Sequence, residues 1–251
     1  MLSLVRLPIV LLFAFPALTN FLSFIKVNNP ANRSIEVFSY GDSSTYIIPP
    51  VDKFEADDIY TKLDLAEKGL SKNVFELTLK GYKKLLQKKL IRNKNIITII
   101  DFSIPSDKKR LYVIDLKRNK VLYHSLVAHG RNSGLEYATD FSNETDSHKS
   151  SLGFYVTMNT YSGEHGYALK LKGCEKGFNS NAFSRAIVMH GSEYVNEDFV
   201  KNNGFLGRSW GCPALPEKVN KKIIDVIKNG SCLFVYHSSQ KYLSTSPILK
   251  G

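Results

Sequence analysis

The chain has 251 residues, 43% of them hydrophobic and 23% charged, with a formal net charge of +11. This composition excludes a disordered or low-complexity chain and is long enough for one large domain or two small ones around a real hydrophobic core. The positive charge favours an anionic partner such as an acidic polymer, with general solubility as the plain alternative; the Lys and Arg residues are scattered and no nucleic-acid motif accompanies them, so nucleic acid is not an expected partner.

At the N-terminus Arg6 precedes the apolar run Leu7–Phe15, the pattern of a secretory signal peptide over residues 1–19, with Ala17 and Thr19 at the small-residue positions before cleavage. Apolar residues resume at Phe21, Leu22, Phe24 and Ile25, so a retained membrane anchor over 1–25 is the alternative. Either reading places the rest of the chain outside the cytoplasm, in the periplasm or cell envelope. Residues 26–51, with Asn28-Asn29-Pro30 and Pro49-Pro50, read as a linker. Residues 52–95 form a helical segment: 52–67 is one helix, and 71–91 a clearer one. In the second, Ser71 is the cap, and Val74, Leu77, Tyr82, Leu85 and Leu86 recur at three- and four-residue spacing.

From residue 96 the period changes to that of strands. Ile96–Ile100 is β-branched, and Leu111–Leu116 and Val121–Val127 flank the hairpin connection Lys117–Lys120. Further strands are expected over 152–158, 167–172, 186–190 and 231–236, with one helix over 217–229 that carries Val219, Ile223, Ile224 and Ile227 on one side. Short strands with turns between them predict a mostly β domain over 96–237, a sandwich or barrel with a few helices. Residues 238–251 are polar and read as a flexible tail.

Of the three cysteines, Cys212 lies in Arg208-Ser209-Trp210-Gly211-Cys212-Pro213-Ala214. Gly211 carries no Cβ to block a substrate, Pro213 stiffens the loop, and the N–H groups of Gly211 and Cys212 can face a developing oxyanion. Ser209 can brace that loop or bond a substrate carbonyl. The bland alternative is a small buried thiol. His190-Gly191 ends a strand and offers a base for the thiol proton, with His129-Gly130 as its nearest rival or as a groove-lining residue. If Cys212 is free, Cys174 and Cys232 remain available to pair, and the sequence does not decide whether they do. No spacing suits a structural zinc site.

A strand ending in His-Gly, followed by Ser-x-Gly-Cys, resembles the catalytic domain of murein L,D-transpeptidases; here these are His190-Gly191 and Ser209-Trp210-Gly211-Cys212. The segments 127–134, 141–143, 150–155 and 207–216 are similar too, and the resemblance runs over roughly residues 55–237. It implies a β-sandwich or barrel and a peptidoglycan L,D-transpeptidase. Cys212 would attack a stem tetrapeptide, release D-Ala and form a thioester, and a second stem amine would then resolve it into a cross-link. No cofactor or metal is implied. Substrate contacts are expected from Arg208, Trp210, Gly191, His129 and Asn132. Many family members carry a basic residue two positions after the cysteine; here Ala214 stands there, and Arg208 is the nearby candidate to replace it. Two other readings remain: a carboxypeptidase or endopeptidase that trims stems, and a non-catalytic wall-binding envelope protein.

Overall fold

The computed structural model describes residues 53–250 except His165. The expected signal peptide or anchor and the linker over 26–51 lie outside these residues. No helix among the described residues is long and apolar enough to cross a membrane.

Helix α1 (Lys53–Lys62) ends in a series of turns, and α2 (Lys72–Gln87) follows. Ser71 caps α2 by accepting from the Val74 N–H at 3.3 Å, which satisfies one of the helix's orphan donors. The face of α2 that the spacing picks out is the buried one, with Val74, Phe75, Leu79, Tyr82 and Leu85. Burying side chains of this size contributes about 1.5–3 kcal/mol each. Gly81 is what lets α2 come close to the sheet: a Cβ there would stand 2.0 Å from the ring of Phe154.

The strands are β1 (Ile96–Asp101), β2 (Leu111–Asp115), β3 (Lys120–Ser125), β4 (Gly153–Gly163), β5 (Gly166–Gly173) and β6 (Val188–Ser192). Helix α3 (Glu197–Asn203) and β7 (Ala214–Pro216) come next, then α4 (Glu217–Ile227), β8 (Cys232–Tyr236) and α5 (Gln240–Thr245). The strands join in one eight-stranded sheet in the order β3-β2-β1-β8-β4-β5-β6-β7. The β1–β8 and β6–β7 pairings are parallel and the rest antiparallel. The chain leaving β3 then reaches the opposite edge, where Ala128 exchanges backbone hydrogen bonds with Ala214 of β7 (2.8 and 3.4 Å). The sheet is thereby nearly closed into a barrel, in keeping with the mostly β domain expected.

Three elements depart from the sequence reading, the first being helix α3, which buries no residue and so shows no apolar stripe. Strand β7 is too short to show a period. The tail expected to be flexible is instead α5 and the turn after it, with Tyr242, Ile248 and Leu249 buried. Its anchor is the buried carboxylate of Glu175, which accepts from the Phe154 N–H (2.7 Å), the Tyr242 hydroxyl (2.9 Å) and the Ser246 hydroxyl. A polar segment thus packs because a buried acceptor meets its hydroxyls. Burial raises the Glu175 pKa, and these bonds oppose the rise.

Candidate active site

The parallel pairing of β6 with β7 sets the site, since it aligns His190 with Ala214 and Gly191 with Leu215. Cys212, two residues before Ala214, is half-buried at the start of that pairing. Its Sγ accepts from the Val188 N–H at 3.4 Å, and its S–H points to the Ala186 carbonyl at 3.8 Å. Val188 and His190 lie on the same face of β6, because strand side chains alternate. Ala186 holds φ at +52°, a left-handed conformation that costs a non-glycine residue about 1–2 kcal/mol.

His190 is 4% exposed. Its Nδ1 lies 2.9 Å from the carbonyl oxygen of Gly191. A carbonyl only accepts, so Nδ1 carries the proton and the neutral ring presents Nε2 as the basic nitrogen. The group that orients this histidine, which the sequence left open, is therefore a backbone carbonyl from the adjoining residue. Gly191 in turn packs on Asn220 of α4.

The loop before Cys212 is tied to itself. Ser209 Oγ donates to the Cys212 carbonyl at 2.6 Å and accepts from the Gly211 N–H at 3.1 Å. This corrects one expectation: the Gly211 N–H is committed to Ser209 and is not free for an oxyanion. The Cys212 N–H takes no part in that bonding. Gly211 adopts φ +116°, and a Cβ there would lie 2.8 Å from the Lys149 carbonyl oxygen; only glycine fits this turn. Ser150, which the sequence reading passed over, braces the same point by accepting from the Gly130 N–H (3.0 Å) and donating to the Gly211 carbonyl (3.1 Å).

His129 does not line a groove. It is fully buried. Arg110 Nη2 donates to its Nδ1 at 2.8 Å, and its Nε2–H faces the Gly134 carbonyl at 3.2 Å. Burial, with Arg110 beside it, lowers its pKa to about 3, so it stays neutral. Arg110 is itself fully buried, bonded also to the carbonyls of Ile104 and Val127. Asn132 is exposed and donates to the Ser147 carbonyl at 3.0 Å. Arg208 points to the Gly134 carbonyl (3.3 Å) and the Phe205 ring (5.7 Å). Trp210 is 68% exposed and stacks on His148 at 4.8 Å.

Tyr161, Lys170, Phe183 and the 186–188 segment line a cleft of about 270 Å³. Phe183 is 60% exposed in it, and Lys170 Nζ sits 5.4 Å from the Tyr161 ring centre. The cleft reaches the same backbone that touches Sγ. Burial pushes the Cys212 thiol pKa up, against the Val188 N–H and the nearby Arg185, which both favour the thiolate. All three cysteines are free. Burial raises the Cys174 thiol to about 11 and the Cys232 thiol further still.

A family model described as the L,D-transpeptidase catalytic domain matches residues 66–236. The chain belongs to this family. The match takes in α2 together with the sheet and stops at the end of β8, while α1 lies ahead of it. No curated protein sequence matches the chain. Among solved structures, an L,D-transpeptidase from Mycobacterium smegmatis is similar at 12% identity and a TM-score of 0.34, over 57% of this chain and 59% of that one. L,D-transpeptidase 3 from Mycobacterium tuberculosis is similar at 11% and 0.36, over 57% and 61%. The helical cell shape determining protein Pgp2 from Campylobacter jejuni is similar at 12% and 0.38, over 65% and 56%. The chain thus spans less than two thirds of the length of each.

Proposed function

We propose that this chain is a peptidoglycan L,D-transpeptidase that works through a thioester on Cys212. The observation that carries the reading is the seating of the Cys212 sulfur on the backbone of β6, two residues from a histidine whose Nδ1 is held by a carbonyl. That tautomer leaves Nε2 as the base. His190 takes the thiol proton as Sγ attacks the carbonyl carbon of the L,D-peptide bond in a donor stem. The Cys212 N–H is the loop donor that can meet the resulting oxyanion. Collapse of the tetrahedral intermediate breaks the C–N bond, and the imidazolium protonates the departing D-Ala amine. The thioester is then attacked by the amine of a second stem. His190 accepts the proton of that amine and returns it to the leaving sulfur, so the thiol is regenerated and a new amide bond formed.

The cleft beside the sulfur supports the binding of a long, partly apolar and partly anionic ligand: Tyr161 and Phe183 give it aromatic walls, and Lys170 a cation. The exposed Trp210, stacked on His148, offers a second contact surface next to the loop. The net charge of +11 suits an anionic wall polymer. Action on the wall requires export, which the apolar run behind Arg6 supports.

Incubation of the full chain with a defined tetrapeptide muropeptide, followed by mass analysis, tests the reading. The expected products are a cross-linked dimer and free D-Ala, and Cys212→Ala should reduce both by at least about 10³-fold while leaving the circular dichroism spectrum unchanged. Wild-type product levels from that variant would sink the proposal. A tripeptide in place of the dimer would instead assign the chain as an L,D-carboxypeptidase, with water as acceptor.

A further inference from the structure

Arg185 is a cation held rigidly with no anion beside it. Nη1 donates to the Ser142 carbonyl (2.7 Å) and the Ser151 hydroxyl (3.1 Å). Nη2 donates to the Lys149 carbonyl (2.7 Å) and the Ser147 hydroxyl (3.0 Å). All four Nη–H groups are therefore spent on neutral oxygens, and among the described residues Arg185 takes part in no ion pair. A half-buried guanidinium without a counter-ion is costly unless its charge is used. Its place in the fold says where: Nη2 lies 3.4 Å from the point at which a Cβ on Gly211 would stand, against the residue that precedes the cysteine.

The groups around the sulfur are few. The Val188 N–H of β6 and the Ala186 carbonyl just before it touch Sγ, β6 also carries His190 two residues on, and Tyr194 of the turn after β6 has its hydroxyl pKa raised in part by charge on Cys212. The 142–151 segment turns only backbone and serine hydroxyls toward Arg185, while the Lys149 ammonium faces Asp140 at 3.4 Å. Tyr155 of β4 is the other acidic group near Arg185 and is fully buried, its hydroxyl pKa pushed well up. Position 214 is Ala, and Arg208 is turned to Gly134 and Phe205. Cys212 is thus the group left to use the charge.

We infer that Arg185 is a positioning residue for the acyl transfer: a fixed counter-charge for the Cys212 thiolate, acting through the field it sets up and not through a hydrogen bond to substrate. The inference rests on the reading of Cys212 as the nucleophile. Because its donors are spent on the 142–151 segment, the guanidinium needs no reorganisation when the thiolate forms.

The test is the rate of alkylation of Cys212 in the full chain by neutral iodoacetamide from pH 5 to 10, read at that residue by peptide mass. Arg185→Gln should move the midpoint up by about one pH unit and slow the reaction at pH 7 about tenfold, one unit being a tenfold change in thiolate fraction. Arg185→Lys should restore most of the shift. A folded Arg185→Gln with an unmoved midpoint, or an Arg185→Lys that shifts as far as the glutamine, overturns the proposal, because bracing alone would then explain the residue. If Arg185→Gln does not fold, the wild-type chain still answers. The ratio of iodoacetate to iodoacetamide rates at Cys212 should exceed that of the same cysteine in denaturant, and an equal or lower ratio refutes the counter-charge. None of these readouts needs turnover, so a Cys212→Ala variant that still cross-links would dismiss the transpeptidase reading without touching the alkylation result.

Discussion

His129-Gly130 and His190-Gly191 are the same dipeptide in the same setting, each just past or within the end of a strand, yet the fold gives them opposite fates. His129 is sealed in, with Arg110 on one nitrogen and Gly134 on the other. His190 has one nitrogen tied to the neighbouring carbonyl and its strand laid alongside the cysteine loop. What separates them is the partner each meets at Nδ1. A guanidinium must donate, so it fixes Nδ1 of His129 as an acceptor and removes the lone pair a base would need. A carbonyl must accept, so it fixes Nδ1 of His190 as a donor and hands the lone pair to Nε2. The lesson is that the chemistry of a histidine is chosen by its second nitrogen.

The contrast can be broken by exchanging losses. The largest effect is expected from His190→Ala: kcat/KM on the tetrapeptide should fall by about 10²–10⁴-fold in the protein that remains folded, the loss of this buried ring also costing some denaturant stability. Next comes His129→Ala, which leaves one N–H of Arg110 Nη2 without an acceptor in the interior and takes from the Gly134 carbonyl one of its two donors. It should cost about 1–3 kcal/mol per unsatisfied group in urea unfolding, with near-native kcat/KM in the protein that remains folded. A stable but inactive His129→Ala would invert the two roles. The same histidine predicts a pH dependence. Its folded pKa is lowered from 6.5 to about 3, so between those values the unfolded chain binds the extra proton. Its share of stability is whole above pH 6.5 and lost as pH falls toward 3. A melting series across that window should show a steep acid limb in the wild type and a flatter one in His129→Gln. The smallest effect is expected from Trp210→Ala: an exposed ring changes stability by less than about 0.5 kcal/mol. Loss of one stacking contact should raise KM by about two- to tenfold, measured on a disaccharide-containing muropeptide.

Much of this was legible in the chain. The β-branched run at β1 and the apolar runs at β2 and β8 announced those strands because they are buried on both faces, and Ser71 with its apolar spacing announced α2. Cys212 and His190 stood out through their Gly neighbours and strand context. Arg185 did not, because its four acceptors lie between positions 142 and 151 and no local pattern links them to it. The one available hint was a lone arginine immediately ahead of the strand expected over 186–190, which ends in His190. The groove-lining role expected of His129 fails for the same reason: it is decided by Arg110, which lies just ahead of β2 and far from position 129 in the chain. Helix α5 was hidden because its burial depends on a carboxylate at 175 and not on an apolar stripe of its own.

The meeting of Ala128 with Ala214 carries a consequence for the order in which the proposed site is completed. Those residues are far apart in the chain, and contacts of that kind are slow to form. The β6–β7 pairing, which lines up His190 with Ala214, spans a much shorter stretch of chain and does not wait for them. The cysteine loop therefore sits at the seam of the sheet, and the proposed site gains its second side only when that seam shuts.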